Sequence, residues 1–246
     1  MGELLTLASR DVSDVEETWR QFVPSAALQK VDPRTFAFDW TSAALPGFSV
    51  VKYRLAASVQ SAIEPEDQLM ACRVASRGAW VGTPGGDLNA GLPWLALDGP
   101  TTARWQRQAD VRAFVFDRAD AQEQARCMTG DDRFSLRSTT VAASPENRDL
   151  AAHWERVFQH VAGTLFTPGP SAAIIEADLQ RHALHTTLAV FSPAFVEALQ
   201  RSAQRTAAPR TVRRAIAYME QHGHEAITID DVALAADEHL LGLIEP

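Results

Sequence analysis

The chain holds 246 residues, with 23 basic and 31 acidic side chains for a formal charge of −8, and is 46% hydrophobic and 22% charged. Those proportions belong to ordinary globular proteins and exclude collagen-like, low-complexity and wholly disordered chains. An acidic chain is not a general nucleic-acid coat, and no apolar stretch approaches the roughly 18 residues of a membrane span.

Residues 1–7 carry an acid, Glu3, where a signal peptide has basic residues, so the expected location is the cytoplasm. Two cysteines, Cys72 and Cys127, are too few for a disulfide framework or a four-ligand zinc site. In chain order, residues 9–23 suit a short helix with Ser13 as cap, Glu16 three residues on, and Val15 and Trp19 on one face. Over 49–60, Val51, Tyr53, Leu55, Ala57 and Val59 alternate with Lys52, Arg54, Ser58 and Gln60, which predicts one half-buried strand. Shorter strands are predicted over 69–75, 79–81, 94–97, 101–104 and 111–116, separated by Gly, Pro and Asp turns such as 83–87. Strands every ten residues or so without intervening helices predict an antiparallel barrel or sandwich over about 34–118.

After Ala119 the period becomes helical. Helices are predicted over 120–128, 147–165, 172–191 and 193–205, the last with Ser192 as cap and Pro193 in the first turn. Residues 206–210 read as a linker, and the charge shifts around it. Residues 201–224 hold Arg201, Arg205, Arg210, Arg213 and Arg214 against Glu220 alone, whereas 225–246 hold six acids and no Lys or Arg. Residues 211–222 form an amphipathic helix. Thr228 then caps a second, whose first turn carries Asp230 and Asp231, so a helix-turn-helix begins here.

The run Arg213-Arg214-Ala215-Ile216-Ala217-Tyr218-Met219-Glu220-Gln221-His222, followed by Ile227-Thr228-Ile229-Asp230-Asp231-Val232-Ala233 and Ala235-Ala236, resembles the start of the AraC-type DNA-binding domain. Met128-Thr129-Gly130, Arg133-Phe134, the Trp154 helix and 175–191 are similar to the sensing domain often joined to it. The resemblance implies an α+β protein in four parts. These are a cupin-like effector-binding domain over 1–145, a helical dimerisation segment over 146–205, the linker over 206–210, and an incomplete helix-turn-helix domain over 211–246. It implies a transcriptional regulator that senses a small effector, forms a homodimer and meets promoter DNA in a full-length form or through a partner. Arg213, Arg214 and Thr228 are the DNA-facing candidates. Asp237-Glu238-His239-Leu240-Leu241 departs from the family pattern, and the chain stops where the first recognition helix is expected, so the DNA-reading part is read as truncated.

No enzyme is expected. All seven histidines, at 153, 160, 182, 185, 222, 224 and 239, follow the strand region, which removes a His-based metal site from the barrel. His182 and His185 share a helix face, and packing positions outweigh an interfacial metal site as their reading. G-x-S-x-G and the phosphate-loop pattern are missing, and no cofactor is implied. Ligand-binding candidates are Trp80 and Trp94, with Arg73 (and Arg54 beside it) as anion partner; Trp40 and Trp105 fall in the same region. Residues 172–191 carry more apolar positions than one core-facing stripe uses, so Ile175, Leu179, Leu184 and Leu188 are assigned to dimerisation. The rival reading is an effector-independent interaction protein that antagonises a full-length paralogue by mixed dimerisation.

Overall fold

The computed structural model describes residues 3–22, 27–29, 31–32, 34–137, 141–167, 173–207, 210–224 and 226–237. Its elements run β1 (Glu3–Ser9), α1 (Val12–Phe22), β2 (Ala27–Gln29), β3 (Phe38–Leu45), β4 (Phe48–Leu55), β5 (Val59–Ile63), β6 (Gln68–Ala75), β7 (Trp80–Thr83), β8 (Gly86–Leu88), β9 (Trp94–Ala96), β10 (Thr101–Trp105) and β11 (Ala109–Asp117). Helices follow: α2 (Arg118–Thr129), α3 (Arg148–Leu165), α4 (Ala173–Phe191), α5 (Pro193–Ala207), α6 (Arg210–His222) and α7 (Ile229–Asp237). The chain forms two compact units, Met1–Val196 and Glu197–Pro246, which divide within α5. The strands therefore share one unit with α2, α3 and α4. Of the expected linker, 206–207 end α5 and Arg210 opens α6, while 208–209 lie outside the described residues.

In the first unit, one sheet has the order β1-β3-β4-β11-β6-β9 and the other β2-β5-β10-β7-β8. Each pairing is antiparallel. The fold is thus α+β, as expected. Alternation sends Val51, Tyr53, Met70, Cys72, Val111 and Ala113 of the first sheet into one core with Val59, Val81, Ala103 and Trp105 of the second. The other face of the first sheet is also covered. Val50, Leu69, Ala71, Phe114 and Phe116 are buried, with Phe114 packed on Trp154 (5.3 Å between centroids) and Phe158 (5.1 Å) of α3. A strand covered on both faces loses its period-2 signature, which is why Phe114, Val115 and Phe116 are all buried.

Three local expectations change. The single strand over 49–60 is two strands in different sheets, broken at residues 56–58, where Ala56 N donates to Ala37 O at 2.7 Å. The alternation survives the corner because both halves face the same interior. β1 pairs with β3 where no strand was expected. At the start of α1, Asp11 Oδ1, not Ser13, receives the helix amide, from Ser13 N at 2.8 Å. Glu16 instead accepts from Leu28 N at 3.1 Å, tying α1 to β2. Ser192 caps α5 as read, its Oγ accepting from Phe195 N, and Asn147 Oδ1 caps α3 by accepting from Leu150 N.

The leucines of α4 take a different place from that expected. Leu184 and Leu188 are 0% exposed and Leu179 is 7% exposed, inside the first unit, because α4 packs on both α3 and α2. Of the four residues assigned to dimerisation, only Ile175 (46% exposed) reaches the surface, beside Ile174 (71%). No helix among the described residues is long and apolar enough to cross a membrane. Leu184→Ala is expected to cost about 3 kcal/mol of stability, and Ile175→Ala less than about 0.5; urea unfolding followed by circular dichroism measures both.

Candidate functional site

Between the two sheets lies a partly open cavity of about 50 Å³. Trp19 of α1, Trp40, Tyr53, Cys72, Trp94 and Trp105 line it together with Ser61, Met70 and aliphatic side chains, and among the described residues its wall has no Arg, Lys, His, Asp or Glu. Trp40 and Tyr53 stack at 5.4 Å with 9° between planes, and Trp19 tilts onto Tyr53 at 5.5 Å. Burial pushes the Tyr53 phenol well above its usual pKa, with Cys72 adding to the shift, and burial alone pushes up the Cys72 thiol. Both groups therefore face the cavity uncharged. Trp40 Nε1 donates to Ser42 Oγ at 2.8 Å, whereas the buried Nε1 atoms of Trp94 and Trp105 have no acceptor among the described residues.

The three ligand candidates from the sequence do not come together. Trp94 lines the cavity. Trp80 lies on the outside of the second sheet, with the Arg104 guanidinium 4.4 Å over its ring. A Cβ at Gly82 would fall against that ring, so any other residue there displaces Trp80. Arg73 faces outward from β6, because its neighbours Cys72 and Val74 take the inward positions. The sequence missed Trp19, Tyr53 and Cys72 as wall residues. Tyr53 sits at an inward position of an alternating run, a signal that could have found it, whereas Cys72 follows Leu69, Met70 and Ala71, all buried, where no alternation marks it.

Outside the first sheet, Arg73 and Arg112 stand directly opposite each other on β6 and β11. Like charges in that register repel. Glu155 of α3 closes on both: Arg73 Nε lies 3.2 Å from its Oε1, and Arg112 Nη1 donates to its Oε2. Arg73 also donates to the carbonyls of Val74 (2.8 Å) and Ala90 (2.7 Å). Burial pulls the Arg73 pKa down; Glu155 opposes that pull, and Arg112 adds to it. A groove of about 470 Å³ runs beside the clamp, with Arg148 on its rim. Arg54, the other anion candidate, is paired with Asp110 at 3.1 Å.

On α3 and α4, His160 and His182 rings lie 6.4 Å apart, and burial followed by the charges of His160, His153 and His185 lowers the His182 pKa. No group of three or more His, Cys, Asp or Glu among the described residues is placed to hold a metal ion.

In the second unit α6 packs against α7. Thr228 and Asp231 form a reciprocal cap: Thr228 N donates to Asp231 Oδ2 at 2.8 Å, and Asp231 N donates to Thr228 Oγ1 at 3.3 Å. The hydroxyl and then the amide of Thr228 hold the Asp231 carboxyl below its usual pKa. Thr228 is thus a helix cap, while Arg213 is exposed and Arg214 half-buried on α6. Residues 238–246, where the truncated recognition helix was expected, lie outside the described residues.

No family model matches the chain, and no curated protein matches it either. Among solved structures, the AraC-like transcriptional activator CuxR aligns over 94% of this chain and 84% of its own, with a TM-score of 0.52 at 13% identity. The chain shares the fold of a transcriptional regulator. A cupin domain from Schizosaccharomyces pombe (TM-score 0.30, 10% identity, 41% of this chain and 75% of that one) and KdgF from a Halomonas species (0.28, 16%, 38% and 91%) are too distant to bear on function.

Removing the clamp carboxylate with Glu155→Ala leaves two arginines opposed and is expected to cost about 2–3 kcal/mol. Glu155→Gln, which keeps the acceptor oxygen, should cost less. Paired thermal and urea unfolding curves give both values, and equal stability of all three proteins contradicts the clamp.

Proposed function

We propose that the chain is a cytoplasmic transcriptional regulator of AraC type, a sensor and not an enzyme. In this reading the barrel interior takes a small effector, the outer helices pair two subunits, and α6 with α7 carries the approach to DNA. One observation carries the reading: the likeness to an AraC-like activator extends over 94% of this chain, so it takes in the strands and the helices after them.

The barrel wall supplies a route for the signal within the first unit. β6 and β11 point Cys72, Val74, Val111 and Ala113 at the cavity and Arg73 and Arg112 at Glu155. An effector that spreads these strands shifts both arginines against α3, and a ligand preferring that arrangement draws the population towards it.

Arg213 and Arg214 are proposed as phosphate contacts, since α6 lies in the basic stretch of the chain. The test is anisotropy of the full chain on a mixed-sequence duplex at several salt concentrations. Arg214→Ala is expected to weaken binding uniformly across sequences and to lower the slope of log affinity against log salt by about one. A variant indistinguishable from the parent, or a parent that binds no duplex at low salt, removes the DNA part of the proposal.

Pairing of subunits is assigned to the outward face of α4 at Ile174 and Ile175. Light scattering at tens of micromolar should give a dimer, and Ile175→Asp a folded monomer; a monomeric parent overturns the assignment. The rival reading, a protein that acts by capturing a relative, is favoured by one feature of the second unit. There Val212, Met219, Ile229 and Leu234 are 42–84% exposed, apolar surface of a kind that protein partners cover. Co-purification with an intact relative, insensitive to any effector, would support it.

A further inference from the structure

The cavity wall is specific about the chemistry it accepts. Six tryptophans occur in the chain. Trp40 and Trp154 satisfy their indole N–H groups internally, on Ser42 Oγ at 2.8 Å and Thr187 Oγ1 at 3.2 Å. Trp94 and Trp105, 1% and 3% exposed, line the cavity, and their buried N–H groups have no acceptor among the described residues. Buried indole N–H groups ordinarily find a partner, and each one left without costs free energy. Both residues line one cavity, so their unmet donors are a demand for acceptor atoms beside it.

The same wall refuses other ligands. A carboxylate or phosphate would meet no counter-charge, since Arg73 and Arg112 point away from the cavity to Glu155. A polyol brings several hydroxyl donors, yet the wall offers few acceptors, and Ser61 Oγ already donates to Ala103 O at 3.3 Å. The Trp40–Tyr53 stack and the aliphatic remainder suit an apolar body. A volume of about 50 Å³ corresponds to about four waters, so the ligand has a handful of heavy atoms unless α1, which contributes Trp19, moves.

We infer that the barrel takes a small uncharged molecule with an apolar body and a hydrogen-bond acceptor, of the ketone, ester or ether class, held by the Trp94 and Trp105 indole N–H groups. The inference rests on the proposal that the barrel is the effector site and adds the chemistry of the effector.

The experiment titrates the full chain, with its tryptophan indoles labelled with nitrogen-15, against three probes of similar size: cyclopentanone, cyclopentane and cyclobutanecarboxylate. Cyclopentanone is expected to bind at least tenfold more tightly than cyclopentane and to move two indole N–H resonances, while cyclobutanecarboxylate moves none. Trp94→Phe and Trp105→Phe each delete one of the two shifted signals. If either variant fails to fold, contacts from the bound ketone to the indoles of the unaltered protein, read from isotope-edited nuclear Overhauser spectra, make the same assignment. Three outcomes overturn the inference. Equal binding of cyclopentane without indole shifts means the cavity selects apolar bulk alone, which leaves the effector reading standing. Preferred binding of the carboxylate means a charged ligand. No response to any probe at 20 mM, with dimerisation and duplex binding intact, removes the ligand class while the regulator reading survives on its own tests.

Discussion

The placement of α3 on the first sheet depends on one repulsion and its relief. Arg73 and Arg112 are paired across adjacent strands by the register that puts Cys72 and Ala113 into the interior. Shifting that register by one residue would turn every inward side chain outward, so the two arginines cannot separate. Glu155 resolves the conflict from above. It sits one residue after Trp154 and three before Phe158, the two aromatics that pack on Phe114. A single face of α3 thus carries both the apolar anchor and the neutralising charge, and the helix settles where both can be used.

That arrangement gives the first sheet two differently built faces. Inward, its residues meet the second sheet around the cavity. Outward, aromatic packing dominates near Phe114 and Phe116, and the charged clamp dominates one pair of residues further along. α4 then finishes the layer from outside, which explains why its leucines are interior. A 19-residue helix that packs on α2 and α3 has apolar positions on several sides, and in sequence that distribution looks the same as a surplus stripe waiting for another subunit.

Much of the architecture was legible from residue patterns. Periodicity located β4, β6, β10 and β11 and the helices from α2 onward, and the caps Ser192 and Thr228 hold as read. The site was less legible. Trp94 and Trp80 were both read as pocket walls because they are tryptophans in the strand region, and of the two only Trp94 lines the cavity. Trp80 misled because its own strand alternates and Val81 occupies the inward position; no composition argument separates those two tryptophans. The Arg112–Glu155 pair spans 43 residues of sequence, and side chains that far apart carry no mutual signal in a single sequence. Arg73 was read as an anion partner for a ligand, and its partner in the fold is the protein's own carboxylate, Glu155.

The separation of apolar interior from charged exterior also bounds what a ligand could do there. A molecule of five or six heavy atoms gains at most about 1.5 kcal/mol per atom on binding, so about 8 kcal/mol in the most favourable case. Only the part of that gain that differs between two arrangements of the barrel can move the equilibrium. Releasing α3 entirely would expose Trp154, Phe158 and Phe114, three large aromatics worth about 2–3 kcal/mol each before cavity costs, and would exhaust the whole gain. Sliding the clamp, at about 2–3 kcal/mol, does not. If the cavity takes an effector as proposed, the energetics favour a small relocation of α3 across the arginine pair, with its aromatic contacts kept, over its release.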